Sequence, residues 1–512
     1  MSGTTSSTTG QDPAAEAGLP AHVQVAIIGS GFSGLGMAIR LKQKGMDDFI
    51  VLERGDDVGG TWRDNTYPGC QCDVPSHLYS FSFASNPDWT RTFSKQPEIW
   101  DYLRRCADDH GVRPHVRCGH EVTSARWDDE LGRWEIETSR GALTADVMIA
   151  GPGGLSDPSI PTIPGHETFA GKAFHSARWD HGHDLKGRRV AVVGTGASTI
   201  QIVPQIQAEV AELKLFQRTA PWVMPHSDRP VTRFERALYR AVPVAQRLMR
   251  TAIYWAREVF VVPFMHPKLG RLPEQAARKH LRSQVPDPDL RRKLTPFYAF
   301  GCKRVLISND YYPALTQPNV EVVTDGISEI RPHGIVTADG TEHEVDTIIF
   351  GTGFKINDLP IAQRVWGRDG VKLADAWSQG MEAHLGTAIA GFPNMFMLLG
   401  PNTGLGHTSV VVMIEAQVDY VMDCLRTMRR RDIATVEVRR DVQTAFNEEL
   451  QHSLKGSVWN AGGCASWYLD ASGRNTTLWP GSTLRFRRGA RRFRAADYEV
   501  GAPQPRRQPV AA

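Results

Sequence analysis

Two glycine-rich turns constrain this chain more than any other feature. The first, Gly29-Ser30-Gly31-Phe32-Ser33-Gly34, follows the apolar run Val23 to Ile28 and precedes a helical pattern through Leu35, Ala38, Ile39 and Leu41. The second, Gly194-Thr195-Gly196-Ala197-Ser198-Thr199, follows Arg189 to Val193 and precedes Ile200, Ile202 and Val203. A buried parallel strand, a tight turn and a helix N-terminus together form a phosphate-binding corner. The first glycine permits the turn, the second lets backbone approach a pyrophosphate, and the third lets helix and strand pack closely. Two such corners predict an α/β fold with two Rossmann-like dinucleotide-binding units.

Register distinguishes the two units. Glu53 ends the strand Phe49 to Leu52 and lies 24 residues after Gly29. A carboxylate there can accept from both ribose hydroxyls and repels a 2′-phosphate. Arg218 lies 24 residues after Gly194, just past the strand Leu213 to Phe216. A guanidinium there suits a 2′-phosphate through a charge-assisted fork, so the second site reads as NADP-type, with Lys303 and Arg304 able to add to it. Thr199 stands where a third glycine is usual, so the second fingerprint leans on this spacing.

The rest of the chain hangs on these corners. Gly59-Gly60-Thr61-Trp62-Arg63 and Tyr67-Pro68-Gly69-Cys70-Gln71-Cys72-Asp73 show neither helical nor strand period, so an ordered loop beside the first site is expected. Asp73 sits among apolar neighbours and wants a cationic partner. Trp127 and Trp134 flank a hairpin, and Gly151-Pro152-Gly153-Gly154 marks a domain exit. From 229 to 294 apolar residues recur at helical spacing among many arginines, which predicts a helical insertion. A strand is expected at Val320 to Val323, and buried strands from Asp346 to Phe350, ending at Gly-rich backbone, and at Asn394 to Leu399. A long apolar helix starts near Thr408, with its N-terminus toward the sheet end.

Composition excludes several classes. At 512 residues the chain exceeds one ordinary core, and 41% hydrophobic with 22% charged residues describes a globular protein. A net charge of +3 gives no reason to expect nucleic acid. Residues 1–20 and 496–512 read as tails. No apolar run is long enough to span a membrane. Seven cysteines without framework spacing read as reduced thiols in a cytoplasmic protein. Neither a metal-ligand spacing nor a nucleophile elbow stands out.

With these residues in hand, the chain resembles the class B flavoprotein monooxygenases, and among them the type I Baeyer–Villiger monooxygenases, from about residue 21 to 490. The stretch Phe169-x-Gly171-x-x-x-His175-x-x-x-Trp179-Asp180, lying between the two glycine turns, matches the family fingerprint at each defined position. Gly60-x-Trp62 with Tyr67-Pro68-Gly69 and Asp73 resembles its second signature, and Phe350 to Phe354 its late ATG-type motif. The resemblance implies FAD and NADPH as cofactors. It implies insertion of one oxygen atom of O2 into a small-molecule ketone, through a C4a-peroxyflavin, to give an ester or lactone. The alternative is oxygenation of sulfur or nitrogen. A plain pyridine-nucleotide reductase would leave the linker and Arg304 unexplained, and a non-catalytic redox sensor would show no substrate-stimulated turnover.

The same resemblance implies the site. Arg304 and Asp73 are its catalytic pair. Gly29, Gly31, Gly34, Glu53, Gly60, Trp62, Asp73 and Val122 fall to FAD, and Gly194, Gly196, Ser198, Arg218, Thr219 and Lys303 to NADP. The linker residues Phe169, Gly171, His175, Trp179 and Asp180 would set domain geometry. Gly171 would supply an unusual backbone angle, and His175 and Trp179 would share a face. The expected division is FAD-binding 21–152 with 385–495, NADP-binding 153–228 with 295–384, and the insertion 229–294. Neither nucleic acid nor integral membrane association is expected, and the assembly is a monomer or homodimer. Two departures limit the carry-over: Thr199 replaces the small residue of the second Rossmann motif, and the C-terminal stretch Ser466 to Gly481 differs, so the family's substrate range is not copied across.

Overall fold

The structure, a computed structural model, describes residues 18–502. One sheet runs in the order Val365–Trp366, Val122–Asp128, Arg133–Thr138, Gly141–Ala150, His22–Ile28, Phe49–Leu52 and Val116–Arg117, with Met395–Met397 also paired to Gly141–Ala150. His22–Ile28 has parallel neighbours on both sides, and from Val25 onward it is buried. Its near-continuous apolar run reflects this, since a central parallel strand is covered on both faces. A second sheet, parallel throughout, runs Val320–Val323, Glu212–Phe216, Arg189–Val193, Thr347–Phe350 and Lys172–His175.

Each sheet carries one glycine corner at the carboxyl end of its central strand. Gly29 and Gly194 have φ of +89° and +111°, left-handed values that a side chain would strain. A Cβ at Gly34 would lie 1.8 Å from the Gly29 carbonyl oxygen, so the helix Phe32–Gln43 approaches its strand only because that residue is glycine. The second corner inverts this arrangement. Thr199 is fully buried at the matching position, and the space comes from Gly351, whose Cβ would meet Thr199 Oγ1 at 2.2 Å. The departure at Thr199 is therefore matched by a glycine on the neighbouring strand end.

Between the two halves of the second sheet comes a run of helices: Arg233–Ala241, Pro243–Glu258, Val261–Met265, Arg271–Gln284 and Pro288–Lys293. Thr232 and Glu235 start the first of these with a reciprocal capping box. Among the described residues no helix is long and apolar enough to cross a membrane.

Several expectations need correcting. The stretch from Leu359 to Trp377, expected in the NADP-binding unit, packs on the first sheet: Val365–Trp366 pairs with Val122–Asp128, and Leu359, Leu373 and Trp377 join that sheet's core. Tyr498–Gly501, expected in a tail, forms a strand against Thr435–Val438; of the expected tails 1–20 and 496–512, residues 1–17 and 503–512 lie outside the described residues. Cys302 and Cys464 form a disulfide, so the expectation of reduced thiols fails for that pair. They are 162 residues apart, and no local spacing reveals their meeting.

The linker also differs. Lys172–His175 is a strand of the second sheet, followed by the short 3-10 turn Ser176–Arg178. A four-residue spacing makes a common face only within one continuous helix or strand; here the strand ends at His175 and a 3-10 turn follows, so the two part, His175 meeting the Phe354 ring and Trp179 the Phe174 ring. Gly171 has no left-handed φ; a Cβ there would lie 2.4 Å from the Asp346 carbonyl, so close approach is its reason. Phe169 packs at the edge of the second core, and Asp180 pairs with Lys172 at 2.7 Å.

His175 is 2% exposed, and its Nδ1 accepts from the Ala177 amide at 3.1 Å. Burial pushes His77, His175 and His384 each down to about 4 from 6.5. An unfolded chain takes up protons on these rings below pH 6.5 and the folded chain does not until about 4. Stability should therefore fall as pH drops through that window, by up to about 3 kcal/mol per ring. Thermal melts of wild type and of a variant with Gln at the three positions check this; the variant's curve should be the flatter.

Candidate active site

The first corner opens onto a cavity of about 200 Å³ lined by Gly29, Gly31, Glu53, Gly60, Trp62 and Val122, with Leu359, Leu399 and Ile414 on its apolar side. Gly31 leaves room at this wall, since the nearest atom to a Cβ there is the Gly60 Cα at 3.8 Å. Gly34 and Asp73 do not line this cavity: Gly34 is spent on packing, and Asp73 lies at a second cavity. Val410, the first residue of the helix Val410–Arg431, also reaches the cavity, and Ser409 Oγ caps the helix at the Val411 amide.

Glu53 is 3% exposed. Its Oε2 accepts from the Ser30 amide at 3.0 Å and the Ser30 hydroxyl at 2.6 Å; its Oε1 accepts from the Gly55 amide at 2.8 Å and meets Arg63 Nη1 at 2.9 Å. Burial alone would raise its pKa, but the Arg63 charge and these donors outweigh burial and hold it below its ordinary value. Glu53 thus stays ionised, and Arg63 is its buried counterion, a partner the sequence reading did not assign. Four donors fill the usual lone-pair sites of a carboxylate.

The second cavity, about 60 Å³, is where Asp73 and Arg304 meet across 231 residues of sequence. Arg304 Nε and Nη2 donate to Asp73 Oδ2 and Oδ1 at 2.6 and 2.7 Å, a two-bond fork, and Nη1 donates to the Leu405 carbonyl at 3.3 Å. Burial pushes the Asp73 carboxyl up, yet the Arg304 charge and fork hold it below its ordinary value; Asp73 in turn raises the guanidinium's pKa. The aspartate orients the arginine and leaves its charge permanent.

Three further residues stand here that the sequence did not flag. Arg257 and His407 line the cavity, and Arg257 makes no ion pair or side-chain hydrogen bond among the described residues. The His407 side chain is fully buried, neither ring nitrogen has a hydrogen-bond partner, and Nε2 lies 3.7 Å from Glu258 Oε2. Arg257 and Glu258 come from the helix Pro243–Glu258 of the insertion, which therefore walls the cavity. The signal in the sequence was a buried acid and base at the end of an otherwise exposed amphipathic helix, and it is readable only once the packing is known.

At the second glycine corner, Gly194 and Gly196 precede the helix Ala197–Ile206, which holds Ser198. Arg218 is exposed just past Glu212–Phe216. Thr219 offers its carbonyl to the Thr195 hydroxyl at 2.8 Å. Lys303 has its pKa lowered by burial and by the nearby Arg218 charge, and neither cation makes an ion pair among the described residues. Lys303 and Arg304 are adjacent, yet one faces this cation pair and the other faces Asp73.

The sequence family described as pyridine nucleotide-disulphide oxidoreductase matches residues 26–233. A Baeyer–Villiger monooxygenase of Streptomyces coelicolor is 56% identical over 486 residues, covering 94% of each chain. Among solved structures, OTEMO in complex with FAD and NADP superposes with a TM-score of 0.83 at 28% identity, covering 94% of this chain and 99% of the other. Cyclohexanone monooxygenase from Rhodococcus sp. Phi1, bound to NADP+, gives 0.84 at 28% identity, covering 95% of this chain and 100% of the other.

Proposed function

The chain belongs to the Baeyer–Villiger monooxygenases, and from that premise we propose how its own residues serve the reaction. It is an FAD- and NADPH-dependent flavin monooxygenase that converts a ketone to an ester or lactone. We assign it a small-molecule ketone and O2 as reactants. The single observation that carries the site reading is the Asp73–Arg304 fork at the second cavity.

FAD, when bound and reduced by NADPH, supplies the activation of O2. We assign it to the larger cavity. Gly31 and Gly60 would let its pyrophosphate approach backbone, Trp62 and Val122 would wall it, and Glu53 would hold its ribose. All four Glu53 acceptor sites are taken, so a ribose hydroxyl would replace the Ser30 hydroxyl, the one donor there that can rotate away. The helix N-terminus at Val410 would favour negative charge at the cavity.

Negative charge builds on the substrate's carbonyl oxygen as the new oxygen bonds to its carbon. A fixed cation held before the event stabilises that charge without reorganisation. Arg304 meets this need, and Asp73 positions it. We add Arg257 as a second, uncompensated cation in the same cavity, and His407, faced by Glu258, as a donor beside it. Arg304→Ala tests this reading by separating NADPH use from ester formation.

For NADP we assign Gly194, Gly196, Ser198, Arg218, Thr219 and Lys303. The two convergent cations support a 2′-phosphate at Arg218 and Lys303. Arg218→Ala should cut the preference for NADPH over NADH about tenfold or more, chiefly through KM. Unchanged selectivity would refute that role.

We divide the chain into an FAD-binding part, 21–152 with about 359–495, and an NADP-binding part, 153–228 with 295 to about 358. Pairing of Met395–Met397 with Gly141–Ala150 supports the first. We place the enzyme in the cytoplasm, as a monomer or homodimer; five of its cysteines are free thiols.

A further inference from the structure

Residues 229 to 284 hold twelve lysines and arginines against three acids, Glu235, Glu258 and Glu274. The segment's net charge of +9 compares with +3 for the whole chain, so everything outside it is net acidic. The same segment breaks the usual rule for apolar side chains. Of nineteen exposed large hydrophobic residues among the described ones, twelve fall between 234 and 272. A patch so concentrated is a binding surface more often than a chance of packing.

The arrangement is helical and one-sided. On Pro243–Glu258 the exposed residues Val244, Leu248 and Trp255, continued by Val259, follow i, i+4, i+11 and i+15, one stripe of a helix. Gln246, on the far side from this stripe, is buried, as are Tyr254 and Glu258 toward the helix's C-terminal end. The neighbouring helices add Phe234 and Leu272, 76% and 77% exposed. Arg233, Arg247 and Arg271 are exposed among them and make no ion pair within the described residues.

We propose that this insertion docks the enzyme on an anionic lipid bilayer, lying in the interface with its apolar residues in the headgroup boundary. Tryptophan, phenylalanine and leucine beside arginine and lysine on amphipathic helices form the interfacial pattern. Arg240 and Arg250 find carboxylates outside the segment, Asp88 and Glu415, but Arg233, Arg247 and Arg271 do not, and anionic headgroups supply the negative charge that these exposed arginines lack. A second copy of the chain is the wrong partner, because two net-positive faces repel. The inner side of the same helix gives Arg257 to the second cavity, so docking would set a wall of that cavity against the lipid.

The test uses the full-length holoenzyme in flotation with vesicles of phosphatidylcholine alone and of phosphatidylcholine mixed with phosphatidylglycerol. The protein should float with the mixed vesicles, remain below with the neutral ones, and be released by salt. Two variants, Leu248→Ser/Trp255→Ser/Val259→Ser and Arg233→Glu/Arg247→Glu/Arg271→Glu, should each weaken vesicle binding about tenfold or more. Both should keep bound flavin and turnover of a water-soluble ketone, which shows that they fold. No flotation at low salt would overturn the proposal, as would equal flotation with neutral vesicles or full binding by both variants. So would a dimer in light scattering that the serine variant dissolves, since it would give the face to a second copy.

Discussion

Arg304→Ala should still oxidise NADPH and lose ester formation by about a hundredfold to a thousandfold, the cost of removing one preorganised group that stabilises a developing oxyanion. The arginine touches Asp73 and the Leu405 carbonyl and contributes nothing to the Glu53 cavity or to the Arg218–Lys303 cations, so hydride delivery should survive. Anaerobic NADPH should bleach the yellow variant, while in air the reducing equivalents should emerge as hydrogen peroxide. Arg304→Lys should rescue little, because an ammonium cannot make the two-bond fork. The pair is roughly a quarter to a third exposed, so its loss should cost less stability than a fully buried pair. Asp73 has a depressed pKa, so the fork's contribution is present above the ordinary carboxylate range and fails only as pH falls through the lowered folded value. Full ketone oxygenation by Arg304→Ala would remove Arg304 from the reaction.

Gly34→Ala should be severely damaging. The added carbon would lie 1.8 Å from the Gly29 carbonyl oxygen and 2.9 Å from its carbon, with no flexible side chain able to yield. Helix Phe32–Gln43 would have to leave its strand, opening the tight corner where Gly31 approaches a phosphate. Such overpacking costs about 3 kcal/mol or more. The protein should melt lower and emerge with little flavin, measured by absorbance of the purified chain against its protein content. A variant with normal flavin content and melting temperature would show that the corner is looser than this packing.

How far the sequence reached differs by feature. The two corners were legible because their chemistry is local: glycines at fixed offsets between a strand and a helix. The Glu53 and Arg218 contrast was legible through register. Asp73 and Arg304 were paired through family resemblance, since nothing in a separation of 231 residues announces contact. Arg63, Arg257, Glu258 and His407 were missed because each becomes significant only through burial against a distant segment. His175 and Trp179 do not share a face because the strand stops at His175 and a 3-10 turn re-aims the chain before Trp179, a break that residue spacing does not show. The boundary near residue 359 was missed because a two-residue edge strand, Val365–Trp366, leaves no periodic trace.

The most direct test of the central claim is to supply NADPH and heavy-isotope dioxygen with a panel of ketones and sulfides and weigh the products. The expected product is an ester or lactone heavier than its ketone by one labelled oxygen atom, formed by the wild type and lost in Arg304→Ala. NADPH consumption that yields only hydrogen peroxide with every ketone, or label found only in sulfoxides, would contradict it.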